Sequence, residues 1–169
     1  KDYAEWNKTL WDSAVEESSL IQNLKWRAGY LKKYLSSFTV YHFHDTSVSS
    51  PMRGDCNIND NEYLRDNGSN LAAFLYSMMQ NDETNFRLIE GVVSSIAPYF
   101  KCFKLRPDVN DKERIRLEWE EKETDMYLNG YSFSDGTLRF IALATLLLQS
   151  KTPEVIVIDE PELGLHPVA

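Results

Sequence analysis

Two acids stand side by side at the end of an apolar run, Val155-Ile156-Val157-Ile158-Asp159-Glu160. An unbroken β-branched run is the pattern of a strand covered on both faces of a parallel sheet. Open α/β sheets collect their ligands beyond the carboxyl ends of such strands. Asp159 is therefore placed to hold Mg²⁺, directly or through water, and Glu160 to polarise a water for attack on a terminal phosphate. Taken alone, the same residues also describe a strand that simply ends in solvated acids.

A second group lies upstream. Ser134 is a good N-cap, Asp135 and Gly136 suit a first helical turn, and Leu138 to Leu148 is apolar at almost every position. That spells a helix covered on nearly all sides and broken by Thr152-Pro153. Its N-terminus, with a hydroxyl and bare N–H groups, is an anion site. His42 and His44 fall on one face of an alternating strand, FTVYHF. An H-x-H pair can bind metal, but the sequence supplies no obvious third ligand nearby, and a packed or hydrogen-bonded pair is preferred. Arg53 could meet a phosphate or an acidic partner. Lys25, Arg27, Lys32 and Lys33 form a solvated helix face or, more sharply, a phosphate contact. Cys56 and Cys102 have no paired spacing and read as reduced thiols.

Three segments in this order form a specific pattern. VIVIDEP resembles a Walker B strand with its catalytic glutamate, SFSDGTLR resembles a signature motif, and ELGLHP resembles a D-loop. The chain resembles the ATP-binding-cassette type of P-loop ATPase, in the form typical of RecF-like and overcoming-lysogenisation-defect-like (OLD-like) ATPases of the AAA family. RDNGSNLAAFLYSM resembles the start of their helical insertion, which extends the likeness from about Thr39 onward. The resemblance implies ATP and Mg²⁺ as cofactors, with Asp159 the Mg²⁺-associated acid, Glu160 the general base and His166 the D-loop histidine. For His166 the other reading is a surface histidine in a turn before Pro167. The resemblance also implies that Ser134 and Gly136 reach the γ-phosphate of ATP held by an opposite subunit, with Asp135 between them in the cofactor-binding set, so that ATP drives formation of a homodimer. Asp135 stands where transporters of the wider class carry glycine, and a carboxylate beside a phosphate is unfavourable unless it turns away or caps backbone donors.

Composition bounds the rest. The chain has 169 residues, enough for one medium domain or a lobe of a larger one, and is 43% hydrophobic. A formal net charge of −8 argues against general affinity for nucleic acid. RecF-like relatives nonetheless imply a second reading, a nucleotide-gated module that contacts DNA or a partner protein in DNA repair or phage defence. No run is long and apolar enough to cross a bilayer and no signal peptide is visible, so no membrane is expected and a cytoplasmic location is. The chain contains no Gly-Lys pair, hence no G-x-x-x-x-G-K-[ST] phosphate loop. We therefore expect a segment of a longer ATPase, inactive by itself.

The expected class is α/β, part of a P-loop NTPase with a helical insertion, a mixed sheet and a buried Walker B strand. Residues 1–36 read as helical from apolar residues at three- and four-residue spacing. Residues 37–66 read as a strand and a long polar loop. Residues 67–100 form a helical subdomain, its helices starting at Ser69 or Asn70 and at Thr84, the second ended by Pro98. Residues 101–169 carry two strands, Phe100 to Leu105 and Ile115 to Glu120, joined by a polar turn, then the signature helix and the Walker B strand. Glu118, Glu120, Glu121, Glu123 and Asp125 read as a solvated acidic edge.

Overall fold

The computed structural model describes Gly29 and residues 38–162. The expected N-terminal helix with its basic cluster lies otherwise outside the described residues, as does His166. The chain divides into two compact units, one of residues 1–39 with 153–156, the other of residues 40–152 with 157–169. Almost all described residues belong to the second, and the site residues described below lie within it.

The element order is β1 (Phe38–Tyr41), a 3₁₀ turn (Pro51–Arg53), β2 (Asp55–Asn57), α1 (Leu71–Asn81), α2 (Glu83–Ile96), β3 (Phe100–Phe103), β4 (Arg114–Arg116), β5 (Glu118–Glu121), β6 (Tyr127–Asn129), a second 3₁₀ turn (Gly130–Ser132), α3 (Asp135–Leu148) and β7 (Val155–Ile158). The class is α/β as expected. In place of one mixed sheet, the described strands form separate small sheets: β1 with β7, β2 with β4, and β3-β5-β6. The β2–β4, β3–β5 and β5–β6 pairs are antiparallel. Each described strand is three or four residues long, shorter than the usual length of about five or six.

Two expectations about loops are corrected. The polar stretch after His44 is ordered by its own side chains. Ser50 Oγ donates to the Asp45 carbonyl at 2.7 Å and caps the Pro51–Arg53 turn, and Asp55–Asn57 then pairs with Arg114–Arg116. That pairing splits the expected Ile115–Glu120 strand into β4 and β5, which part at the fully buried Leu117. Asn70 stands at the N-cap of α1 without a side-chain cap bond. It is buried and instead accepts from the Arg65 N–H and donates to the Asp60 and Tyr63 carbonyls, closing the 60–70 loop.

The core lies where α2 packs between α1 and α3 and over β3. Phe86, Ile89 and Val93 bury one face of α2 at helical spacing. Glu90, on the same face, is buried because both carboxylate oxygens are used: it accepts from the Phe103 N–H and from Arg87, each at 2.8 Å. Next to it an aromatic cluster forms, with Trp119 stacked on Phe133 at 4.6 Å and 16°, and Phe100 edge-on to Phe103 at 4.7 Å. Burying such rings stabilises the fold by about 1.5–3 kcal/mol each, which makes this the platform for the chain entering α3.

The acidic edge is also corrected at one position. Glu120 is buried, and its carboxylate takes Lys101 and Lys104 at 2.6 Å each. Hydrogen bonds from these two ammonium groups pull its carboxyl from 4.5 down to about 2. The solvated-edge reading fails there because Glu120 faces Cys102 across the β3–β5 register, inside the ladder rather than beside it.

Candidate functional site

The α3 helix begins where the sequence places it. Ser134 adopts extended backbone, and its Oγ accepts from the Thr137 N–H at 3.1 Å. Its hydroxyl also lies 2.8 Å from Thr137 Oγ1, which in turn meets the Tyr99 hydroxyl at 3.2 Å. Leu138 N–H donates to the Ser134 carbonyl. Among the described residues this leaves the N–H groups of Asp135 and Gly136 without a partner, the bare donors that a helix start offers to an anion. Ser134 and Asp135 are exposed and Gly136 is half-exposed, so an anion has a route to them.

Asp135 does not point its charge at that opening unanswered. Its Oδ1 accepts from Arg53 at 2.7 Å. Arg53 is only 5% exposed and spends its remaining donors on carbonyls: Nε to Thr46, and one terminal nitrogen to both Gly130 and Phe133. A buried guanidinium survives because each of its three nitrogens finds an acceptor. Gly130 lies close against this arginine: a Cβ at that position would sit 3.4 Å from the Arg53 backbone, in van der Waals contact. The remaining loop is seated by Trp119, whose indole donates to the Asn129 carbonyl, and by Asn129 Oδ1, which accepts from Tyr131 N–H.

A second buried arginine, Arg139, sits one turn into the apolar helix and donates to the carbonyls of Phe43 and His44 at 2.9 and 2.7 Å. The sequence alone assigns it no role of its own. A charge inside an otherwise apolar helical run needs buried acceptors, and that is the signal that would have found it. Together the two arginines hold the segment from Phe43 to Thr46 against the α3 start.

The same segment carries the second half of the site. The backbone N–H of Asp159, just past β7, donates to the Tyr41 carbonyl at 3.1 Å. The burial expected of β7 is not found: Val155, Ile156 and Ile158 are half-buried and Val157 is 40% exposed. A β-branched run reports preference for extended backbone, which holds whether or not both faces are covered, and β7 has β1 as its only strand neighbour among the described residues. Asp159 and Glu160 are both exposed at its carboxyl end. Glu160 has φ +45, a left-handed conformation rare for a residue other than Gly, Asn or Asp.

His42 and His44 bracket the buried Phe43, so their rings emerge together, 6.0 Å apart and edge to face. They do not bond to each other. His42 Nδ1 lies 3.7 Å from Asp159 Oδ2, and one ligand atom from each of His42, His44 and Asp159 falls within 4.8 Å of the others. The third ligand that the sequence did not reveal is thus the strand-end acid itself. Among the described residues no hydrogen bond or ion pair joins Ser134, Asp135 or Gly136 to Asp159 or Glu160. The Tyr41–Thr46 segment is what both sets share.

These residues fit a nucleotide and its metal in kind: free carboxylates at a strand end for the cation, and bare N–H groups with a hydroxyl, their neighbouring acid neutralised by an arginine, for a phosphate. Scanning the sequence against protein families matches residues 19–169 to the family described as "AAA domain, putative AbiEii toxin, Type IV TA system". Neither the curated proteins nor the solved structures give a match.

Proposed function

The chain belongs to this AAA-domain family, and on that premise we propose that it supplies part of the site of a nucleotide-binding ATPase that splits ATP to ADP and phosphate with Mg²⁺. The finer reading is a RecF-like or OLD-like ATPase of the ATP-binding-cassette class, with α1 and α2 as its helical insertion. The observation that carries the proposal is the α3 start. Asp135, the residue that would repel a phosphate, is turned onto Arg53 at 2.7 Å while Ser134 and Gly136 stay accessible.

Asp159 is the carboxylate that would hold Mg²⁺, which would offset phosphate charge when bound, while the chain's own residues would position the substrate and move protons. Glu160, one residue on, accepts the proton of the attacking water. Ser134 Oγ and the N–H groups of Asp135 and Gly136 receive the terminal phosphate from an opposing subunit, where developing negative charge gains most from fixed donors. A depression of about 440 Å³ lined by Val48, Arg53, Tyr131 and Asp135 adjoins that opening, and the exposed Tyr131 and Val48 offer apolar surface for the second copy. His166 is assigned to the D-loop of the same interface.

The test is Glu160→Gln in the intact protein. Loss of the base is expected to cut phosphate release by roughly 10²–10⁴-fold while ATP still drives dimerisation, seen as a stable ATP-bound dimer by size exclusion with light scattering. Turnover unchanged in the Gln variant would refute the assigned base.

A further inference from the structure

We infer that His42, His44 and Asp159 form a site for a borderline divalent transition cation of the zinc type, filled without nucleotide. Two imidazoles and one carboxylate are the donor set that such cations favour over Mg²⁺, which takes oxygen ligands and keeps its waters. The inference rests on these three side chains and goes beyond nucleotide hydrolysis.

Three features of the geometry support it. The spacing is right: tetrahedral ligands about 2.1 Å from a zinc ion lie about 3.4 Å apart, and His42 Nδ1 stands 3.7 Å from Asp159 Oδ2. All three atoms fall within 4.8 Å of one another, so modest side-chain rotation closes the set.

The backbone beneath each ligand is fixed by a bond that the cation would not disturb. His42 N–H donates to the Asp66 carbonyl at 2.8 Å, Asp159 N–H to the Tyr41 carbonyl, and the His44 carbonyl is held by Arg139. Preorganisation of this kind lowers the ordering cost of binding.

Among the described residues the three side chains make no hydrogen bond, and His42 and Asp159 meet only as a long ion pair. All three residues are exposed, and the 3.7 Å separation is too long for a hydrogen bond. Three protein ligands with the outward side open to water is the arrangement of an exchangeable site, not a closed structural one.

The experiment uses the whole chain without a histidine tag, and Co²⁺ and Zn²⁺ as probes in the absence of nucleotide. Co²⁺ is expected to give visible d–d absorption that titrates to one equivalent and is displaced by Zn²⁺. His42→Ala, His44→Ala and Asp159→Asn should each weaken binding by about tenfold or more, a loss that even outer-shell partners produce. The chain's third histidine, His166, is the control, and His166→Ala should bind as the parent does. Full binding in the His42 and His44 variants, or loss only with His166→Ala, overturns the inference. So does a featureless Co²⁺ titration, provided the Arg139-bonded fold is intact by circular dichroism. Since nucleotide is absent throughout, the outcome is separate from the Glu160→Gln result.

Discussion

The α3 start and the β7 tip are both loop-to-element junctions that carry charged, exposed residues, yet they are built in opposite ways. At the α3 start the key side chains have buried partners. Phe133 stacks on Trp119, Arg53 gathers three carbonyls and Asp135, and Ser134 caps the buried Thr137. At the β7 tip the backing is a short strand with half-exposed side chains, one backbone bond to Tyr41 and a left-handed glutamate. The first junction holds its side chains as well as its backbone in place. The second leaves its carboxylates free to take up whatever cation or water they meet. Under the proposed function the two constructions suit different tasks, since fixed donors gain most where charge develops and exchangeable metal ligands gain from freedom.

The largest expected effect comes from stripping the rigid side. Arg53→Met removes the donor from three carbonyls and from Asp135 while keeping most of the volume. We expect a loss of about 3 kcal/mol, toward the low end for breaking a buried ion pair because the Asp135 side is 72% exposed. Asp135→Asn, by contrast, should cost under about 1 kcal/mol, as for an exposed ion pair. Urea denaturation of the two variants measures both. If Asp135→Asn proves as damaging as Arg53→Met, the carbonyls are not what Arg53 is for, and the rigid account of the α3 start is wrong.

This contrast also explains what the sequence showed. Ser134, the α3 run and the helix pair from Leu71 to Ile96 were legible because caps and helical periodicity are local signals. Arg53 was legible only as a cation that could meet an acidic partner; which acid was not, because Asp135 is 82 positions away, nor was its burial, because a polar loop gives no hint that one of its side chains is buried. The His42–His44–Asp159 cluster failed to show for the same reason: the alternation around Phe43 put two rings on one face, but nothing local brought Asp159 beneath them. The β7 run misled in the other direction. Its residue types fixed the backbone, and covering layers were inferred from them that the described residues do not supply.

A smaller effect, confined to the rigid side, is a pH dependence from the platform beneath it. Lys101 and Lys104 hold the Glu120 carboxyl at about 2, below its ordinary 4.5. A depressed carboxyl stabilises the fold fully above 4.5 and loses that contribution as pH falls toward 2; the lysines stay charged throughout this window. Stability of the parent should therefore fall across pH 4.5 to 2 more steeply than that of Glu120→Gln, which lacks the titrating group. Thermal melts at stepped pH give the two slopes. Parallel slopes would mean the Lys101–Glu120–Lys104 network does not clamp β3 to β5.

The smallest effect lies at the adaptable tip, and it has the opposite sign. Glu160 at φ +45 carries the left-handed cost of an ordinary side chain, about 1–2 kcal/mol. Asp125, at φ 52, pays less because short acids are at home in this region, and its carboxylate is tied to Lys101. Glu160→Gly removes the cost and adds back roughly 0.5–1 kcal/mol of chain entropy, so the variant should be slightly more stable, by about 0.5–1 kcal/mol. Under the proposed function it should also lose ATP turnover, because the proton acceptor is gone. A residue whose removal stabilises the fold and abolishes the chemistry is held in place for the chemistry. A Gly variant that melts lower than the parent would show instead that Glu160 supports the tip, and the contrast between a rigid phosphate side and an adaptable metal side would have to be redrawn with the strain assigned to structure.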